Sequence, residues 1–312
     1  MLRHLEAEAA THGHARPLGR RGFGSDALFW LRRWRRSGRS PGRVVARRYN
    51  LAVTPILCFD LETVPDVAGL RRLNRDWADL PDAEVAQRAF EARRERTGGS
   101  DFLQHHLHRI VAIGCAFRDD SGFRVRCLGT PEDGEARLVQ DFFRLIDRYT
   151  PQLVSWNGGG FDLPVLHYRG MIHGVAAPRY WDQGDDDRDF KWNNYISRYH
   201  ARHLDLMDLL AMYQPRAAVP LDDLARLCGF AGKLGMDGSR VWDAYQAGGI
   251  GAIRDYCETD VVNTYLVHCR FQKMRGQLSE QAYAQEMQEV RDALAAIDAP
   301  HWREFLTAWP AQ

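Results

Sequence analysis

The chain has 312 residues, 45% of them hydrophobic, with 42 Lys and Arg against 41 Asp and Glu for a formal net charge of +1. That content suffices for one large domain with insertions. No apolar run long enough to span a membrane and no signal-peptide core are present, so a cytoplasmic protein with no membrane partner is expected. The near-zero total hides an asymmetry: residues 1–50 hold 12 Arg, no Lys and 3 acids, leaving 30 basic and 38 acidic groups in the other 262.

Taken in chain order, residues 1–50 come first, with Phe29-Trp30-Leu31-Arg32-Arg33-Trp34-Arg35-Arg36 at their centre. Basic groups with interleaved aromatics suit a nucleic-acid arm, but low periodicity and abundant Gly, Pro and Arg favour a flexible tail or translated upstream sequence. A transit peptide is the remaining alternative. Pro55 to Thr63 then reads as a buried strand, whose alternation points Asp60 and Glu62 the same way. Two like charges about 4 Å apart repel by roughly 4 kcal/mol at an effective dielectric near 20, so such a pair calls for a cation or a proton. Hard oxygen-loving ions, Mg²⁺ or Mn²⁺, are the simplest answer, and two of them can clamp both oxygens of a phosphodiester displacement. A pair ending a strand at the surface is the bland alternative.

A charged helical insertion from about Leu70 to Arg96 follows, then His105, His106 and His108, read as a solvated edge. Arg109–Phe117 and Phe123–Leu128 flank a turn at Asp119–Gly122, a hairpin pattern. Glu135–Tyr149 carries a broad apolar helical face, and Gln152–Trp156 reads as a core strand leading into Asn157-Gly158-Gly159-Gly160-Phe161-Asp162. Asp162 opens a helix, where helix capping is its competing role. Asp185-Asp186-Asp187 reads as a solvated loop. His203–Asp208 suggests a fifth strand running into a helix, with Asp205 and Asp208 structural or supporting. Lys233, between two helices, is a phosphate-contact candidate with Arg198 and Arg202, though Gly229–Lys233 lacks P-loop spacing. Ile250, Ile253, Cys257, Val261 and Leu266 recur at helical spacing, placing Tyr256 and Asp260 on one face. There Tyr256 can orient a water while Asp260 ligates a metal. The six cysteines form no Cys-x-x-Cys pair and read as reduced core residues rather than zinc ligands. Ser279–Trp309 reads as one long helix and a short one.

Phe59-Asp60-Leu61-Glu62-Thr63, Asn157 through Asp162, and Tyr256-Cys257-Glu258-Thr259-Asp260 resemble the three motifs of DEDDy-type 3′ to 5′ exonucleases. The resemblance is to the proofreading domain of family B DNA polymerases, and more closely to predicted stand-alone bacterial exonucleases related to it. It covers roughly residues 54–272. Asp255 stands where the sister histidine class has its histidine, which favours the tyrosine variant. The resemblance implies an α/β, RNase H-like fold: three antiparallel strands, then alternating helices and strands in a mixed sheet. An exonuclease domain over 51–275 is expected, between a basic, flexible tail (1–50) read from its arginines and a C-terminal helical appendage (276–312) read from its helical pattern. With 52 residues after Asp260, a free-standing nuclease rather than a polymerase is expected.

By the same resemblance, Asp60, Glu62, Asp162 and Asp260 hold two Mg²⁺ or Mn²⁺ and Tyr256 positions the nucleophilic water. Asn157, Phe161 and Lys233 are expected to contact substrate. The expected partner is single-stranded DNA, degraded to nucleoside monophosphates. An RNA-trimming enzyme and a non-catalytic nucleic-acid-binding module of the same fold are the alternatives, and oligomeric state is left open.

Overall fold

The computed structural model describes residues 54–310; the Arg-rich segment read above as arm or tail lies outside them. In chain order, β1 (Ile56–Pro65) is followed by α1 (Val67–Leu73) and α2 (Asp82–Thr97), the helical insertion. Then come β2 (His108–Asp119), β3 (Gly122–Cys127), α3 (Glu135–Tyr149), β4 (Gln152–Ser155), α4 (Asp162–His173) and α5 (Pro178–Trp181). β5 (His203–Asp205), α6 (Leu206–Leu210), α7 (Leu221–Leu227) and α8 (Val241–Gln246) lead to α9 (Ile250–Met274), α10 (Glu280–Ala295) and α11 (Pro300–Ala308).

The five strands form one sheet in the order β3-β2-β1-β4-β5. β1, β2 and β3 are antiparallel neighbours, whereas β4 runs parallel to β1 and β5 parallel to β4. This is the mixed RNase H-like arrangement that the resemblance implies. Strand alternation decides which helix covers which face. Leu57, Phe59 and Leu61 of β1 pack with Val139, Phe142 and Ile146 of α3 and with Val165 and Leu166 of α4. Cys58 faces the other way, into a core with Val261, Val262 and Tyr265 of α9. Helices on both faces bury the sheet. Tyr283, Val290 and Leu294 of α10 and Trp302, Phe305 and Trp309 of α11 and its end join that same α9 core.

Two local features open the sheet beside β1. The β1–β4 pairing runs only from Ile56↔Gln152 to Cys58↔Val154, so the rest of β1 extends past the end of β4. On the other side, the β1–β2 register shifts between Glu62 and Thr63, a bulge of the kind that re-aims side chains at strand rims. Asp60 and Glu62 lie between these two irregularities.

Candidate active site

β1 carries Asp60 and Glu62 on the face turned toward α9. Their carboxylate oxygens and the Cys257 sulfur all lie within 4.8 Å of one another. α9 can approach so closely because its partner position on β2 is glycine. Gly114 stands opposite Asp60 in the β1–β2 register, and a Cβ there would sit 2.8 Å from the Cys257 carbonyl and 2.9 Å from its sulfur. The Gly114 N–H instead donates to Cys257 Sγ at 3.1 Å.

Asp162 arrives from the other side. Its position at the first residue of α4 makes capping the obvious role, yet the N-cap residue is Phe161 and the carboxylate reaches across to β1. Its Oδ1 accepts from the Leu61 N–H at 3.0 Å. That N–H lies beyond the end of β4 and would otherwise lack a sheet partner. Asp162 therefore inserts between the two acids of β1 along the chain, and is itself 4% exposed.

Tyr256 and Asp260 share the site-facing side of α9, as their spacing predicts, and both are 4% exposed. Lys233 Nζ lies 2.9 Å from Asp260 Oδ2 and donates to the Tyr256 hydroxyl. The lysine is held by its backbone. Gly232 adopts φ +71° and exchanges bonds with the Asn263 amide of α9, at 3.2 Å and 2.9 Å. The Lys233 N–H donates to Asp222 at 2.6 Å.

Burial makes this cluster electrostatically costly. It pushes Asp60 and Glu62 well above the carboxylate range, with Asp162 and Asp260 adding to Asp60, and Asp60 and Asp260 to Glu62. Burial likewise raises Asp162 to about 7. Asp260 is raised by burial despite Lys233, and the Tyr256 phenol is raised by burial and by the same acids. One ammonium does not neutralise four carboxylates, and Asp260 Oδ1 is buried with no hydrogen-bond partner. Hard divalent cations fit a set of this kind: oxygen donors, excess negative charge and an unsatisfied buried acceptor.

A cavity of about 530 Å³ opens over these groups, lined by Asp60, Glu62, Lys233, Tyr256 and Asp260 at its base. Phe90, Phe102, His108, Phe161 and Trp242 form its walls. His108 corrects the solvated-edge expectation for its segment. It is 8% exposed, donates from Nε2 to the Leu103 carbonyl at 3.1 Å and so presents Nδ1 as acceptor to Thr63 Oγ1 at 2.9 Å. Burial lowers it to about 4, keeping it neutral. His105 is partly buried and bonds the Gly160 carbonyl at 2.9 Å, tying this segment to the glycine loop. His106 alone stays exposed. Residues 101–108 thus form one wall of the site, for which the spacing of the sequence motifs carries no signal.

Of the three expected substrate contacts, Lys233 and Phe161 line the cavity. Asn157 does not: it is exposed, in the left-handed region at φ 65°. Its N–H and that of Gly159 are held by Asp205 at 3.0 Å and 2.8 Å, which gives Asp205 a loop-fixing role. Arg202 is spent on the Asn193 carbonyl and the Phe190 ring, and Arg198 lies over Tyr213. Neither lines the cavity. All six cysteines are free, and all but Cys228 are buried. Among the described residues, no helix is long and apolar enough to cross a membrane.

An RNase H-like sheet with carboxylates gathered beside its central strand defines a class of α/β domain with an acidic site. The particular family follows from the sequence: residues 100–309 match the model described as a predicted 3′-5′ exonuclease related to the exonuclease domain of PolB. The chain belongs to that family. The match includes Asp162, Tyr256 and Asp260; Asp60 and Glu62 precede it and are joined to them by the fold. Among solved structures, the family B DNA polymerase from the hyperthermophilic archaeon Pyrobaculum calidifontis is similar at 18% identity and a TM-score of 0.41. The similarity covers 68% of this chain and 24% of the polymerase, so the chain spans about a quarter of that protein's length. No curated protein matches.

Proposed function

We propose that the chain is a metal-dependent 3′ to 5′ exonuclease acting on single-stranded DNA and releasing nucleoside monophosphates, with residues 51–275 as its catalytic domain. The observation that carries this reading is the cluster of the half-buried Asp60 with the buried Glu62, Asp162 and Asp260, with Asp260 Oδ1 unpartnered at the base of a cavity that also presents Tyr256. The four carboxylates would hold two Mg²⁺ or Mn²⁺, which supply Lewis-acid stabilisation of the phosphodiester and a more acidic water. Tyr256 positions that water: its phenol stays protonated and keeps a lone pair free to orient a neighbour. Lys233 balances Asp260 and faces the cavity, where its ammonium meets the negative charge of a phosphate. Phe161 offers a ring on which a terminal base can stack, a sequence-tolerant contact. Asn157 acts at the rim, through the shape of the glycine loop.

The test is trimming of 5′-labelled single-stranded DNA and RNA with Mg²⁺, Mn²⁺ or chelator. A ladder shortened from the 3′ end, abolished by chelator, supports the reading. Preference for RNA would correct the substrate alone, and metal-independent cleavage would remove the metal mechanism.

A further inference from the structure

Cys257 has no part in the hydrolysis proposed above, yet its sulfur stands among the metal-site acids. It lies 3.9 Å from Asp60 Oδ2, within the 4.8 Å cluster that it forms with Asp60 and Glu62. The thiol is fully buried and receives a backbone N–H from Gly114 at 3.1 Å, a contact that holds the sulfur beside the two β1 acids. Asp260 Oδ1, buried and without a partner, lines the same cavity as the two β1 acids. Two carboxylates and a sulfur make a mixed donor set. Hard ions such as Mg²⁺ ignore the sulfur, whereas Zn²⁺ and Cd²⁺ bind thiolate and carboxylate together.

The geometry points to a thiophilic inhibitory site: Cys257, Asp60 and Glu62 capture a soft divalent cation, Zn²⁺ or Cd²⁺, in place of the activating ion. Capture forms a metal–sulfur bond and releases the thiol proton to solvent, which balances the step. The inference rests on the metal-site reading above and adds a mode of regulation to it. The site becomes a sensor of soft metal because its third donor is sulfur rather than oxygen.

Reduced, metal-free protein is titrated with Cd²⁺ while the thiolate-to-cadmium absorption is followed in the ultraviolet. The band is expected near one equivalent, to vanish in Cys257→Ser and to persist in Cys228→Ser, which removes the most accessible of the other thiols. Cadmium-113 magnetic resonance of the wild-type chain provides a second reading that needs no variant; a sulfur-shifted signal is expected. In trimming assays with Mg²⁺, Zn²⁺ should inhibit the wild type at concentrations at least about tenfold lower than Cys257→Ser, the least that losing a supporting group of a metal site costs. No band, a band unchanged in Cys257→Ser, or an all-oxygen cadmium signal overturns the inference. A sulfur-bound signal without nuclease activity would sink the exonuclease reading alone; trimming without that signal would sink only this one.

Discussion

Asp260 presents two oxygens with different fates: Oδ2 pairs with Lys233, while Oδ1 is buried with nothing to bond. An acceptor left in that state costs about 1–3 kcal/mol, which a cation removes. Asp60→Ala and Asp260→Ala should each lower kcat by about a thousandfold or more, since a metal contributes several kcal/mol to the transition state. Retained trimming in either variant would displace that residue from the site. Tyr256→Phe keeps the ring and loses only the hydroxyl, so kcat should fall roughly a hundredfold with little change in KM, the scale of a positioned general-base partner. Unchanged kcat would assign Tyr256 to packing. These residues were legible in the sequence because each sits at a fixed offset on a strand or helix. His108 was not. Its burial depends on Leu103 and Thr63 reaching it from either side, and neither contact leaves a periodic trace.

Elements are held in place around the site by contacts that no local pattern reports. Arg169 of α4, 3% exposed, donates at 2.5 Å to Asp66, the N-cap residue of α1, and also to Glu135 at the start of α3. Glu135 further accepts the Ile110 N–H of β2 at 2.7 Å. Arg169→Met would remove the guanidinium that Asp66 and Glu135 share, a loss of roughly 3–5 kcal/mol measurable by urea denaturation; a loss under about 1 kcal/mol would show the cluster to be solvated. Gly114→Ala places a methyl against Cys257, and overpacking of this kind costs about 1–3 kcal/mol. Circular dichroism melts should show it, with weakened metal binding as α9 moves off β1. The five strands and their flanking helices follow from alternation and apolar spacing. Gly114, Arg169 and the 101–108 wall do not, because each acts through a partner distant in sequence.

At the scale of the whole molecule, the buried acids tie stability to protons and metal. Asp162 is raised to about 7, and Asp60 and Glu62 move the same way. A raised carboxylate binds more protons folded than unfolded, so its contribution is fully present below its ordinary value near 3.8 and is lost as pH rises through the folded value. In chelator, the contribution of Asp162 to Tm should therefore decline from about pH 4 to about 7, read by comparison with Asp162→Asn. Added Mn²⁺ should restore stability at and above pH 7, because it binds the folded state alone. A slope identical in Asp162→Asn would remove that residue from the effect. The central claim is that four acids from β1, α4 and α9 act as one metal site for trimming a 3′ end. Its most direct test is a single gel of 5′-labelled single-stranded DNA treated with the wild-type chain, Asp60→Ala or Asp260→Ala, each with Mg²⁺, Mn²⁺ or chelator. A 3′-shortened ladder is expected only for the wild type with metal; intact substrate in every lane, or an equal ladder from either variant, would overturn the four-acid metal site.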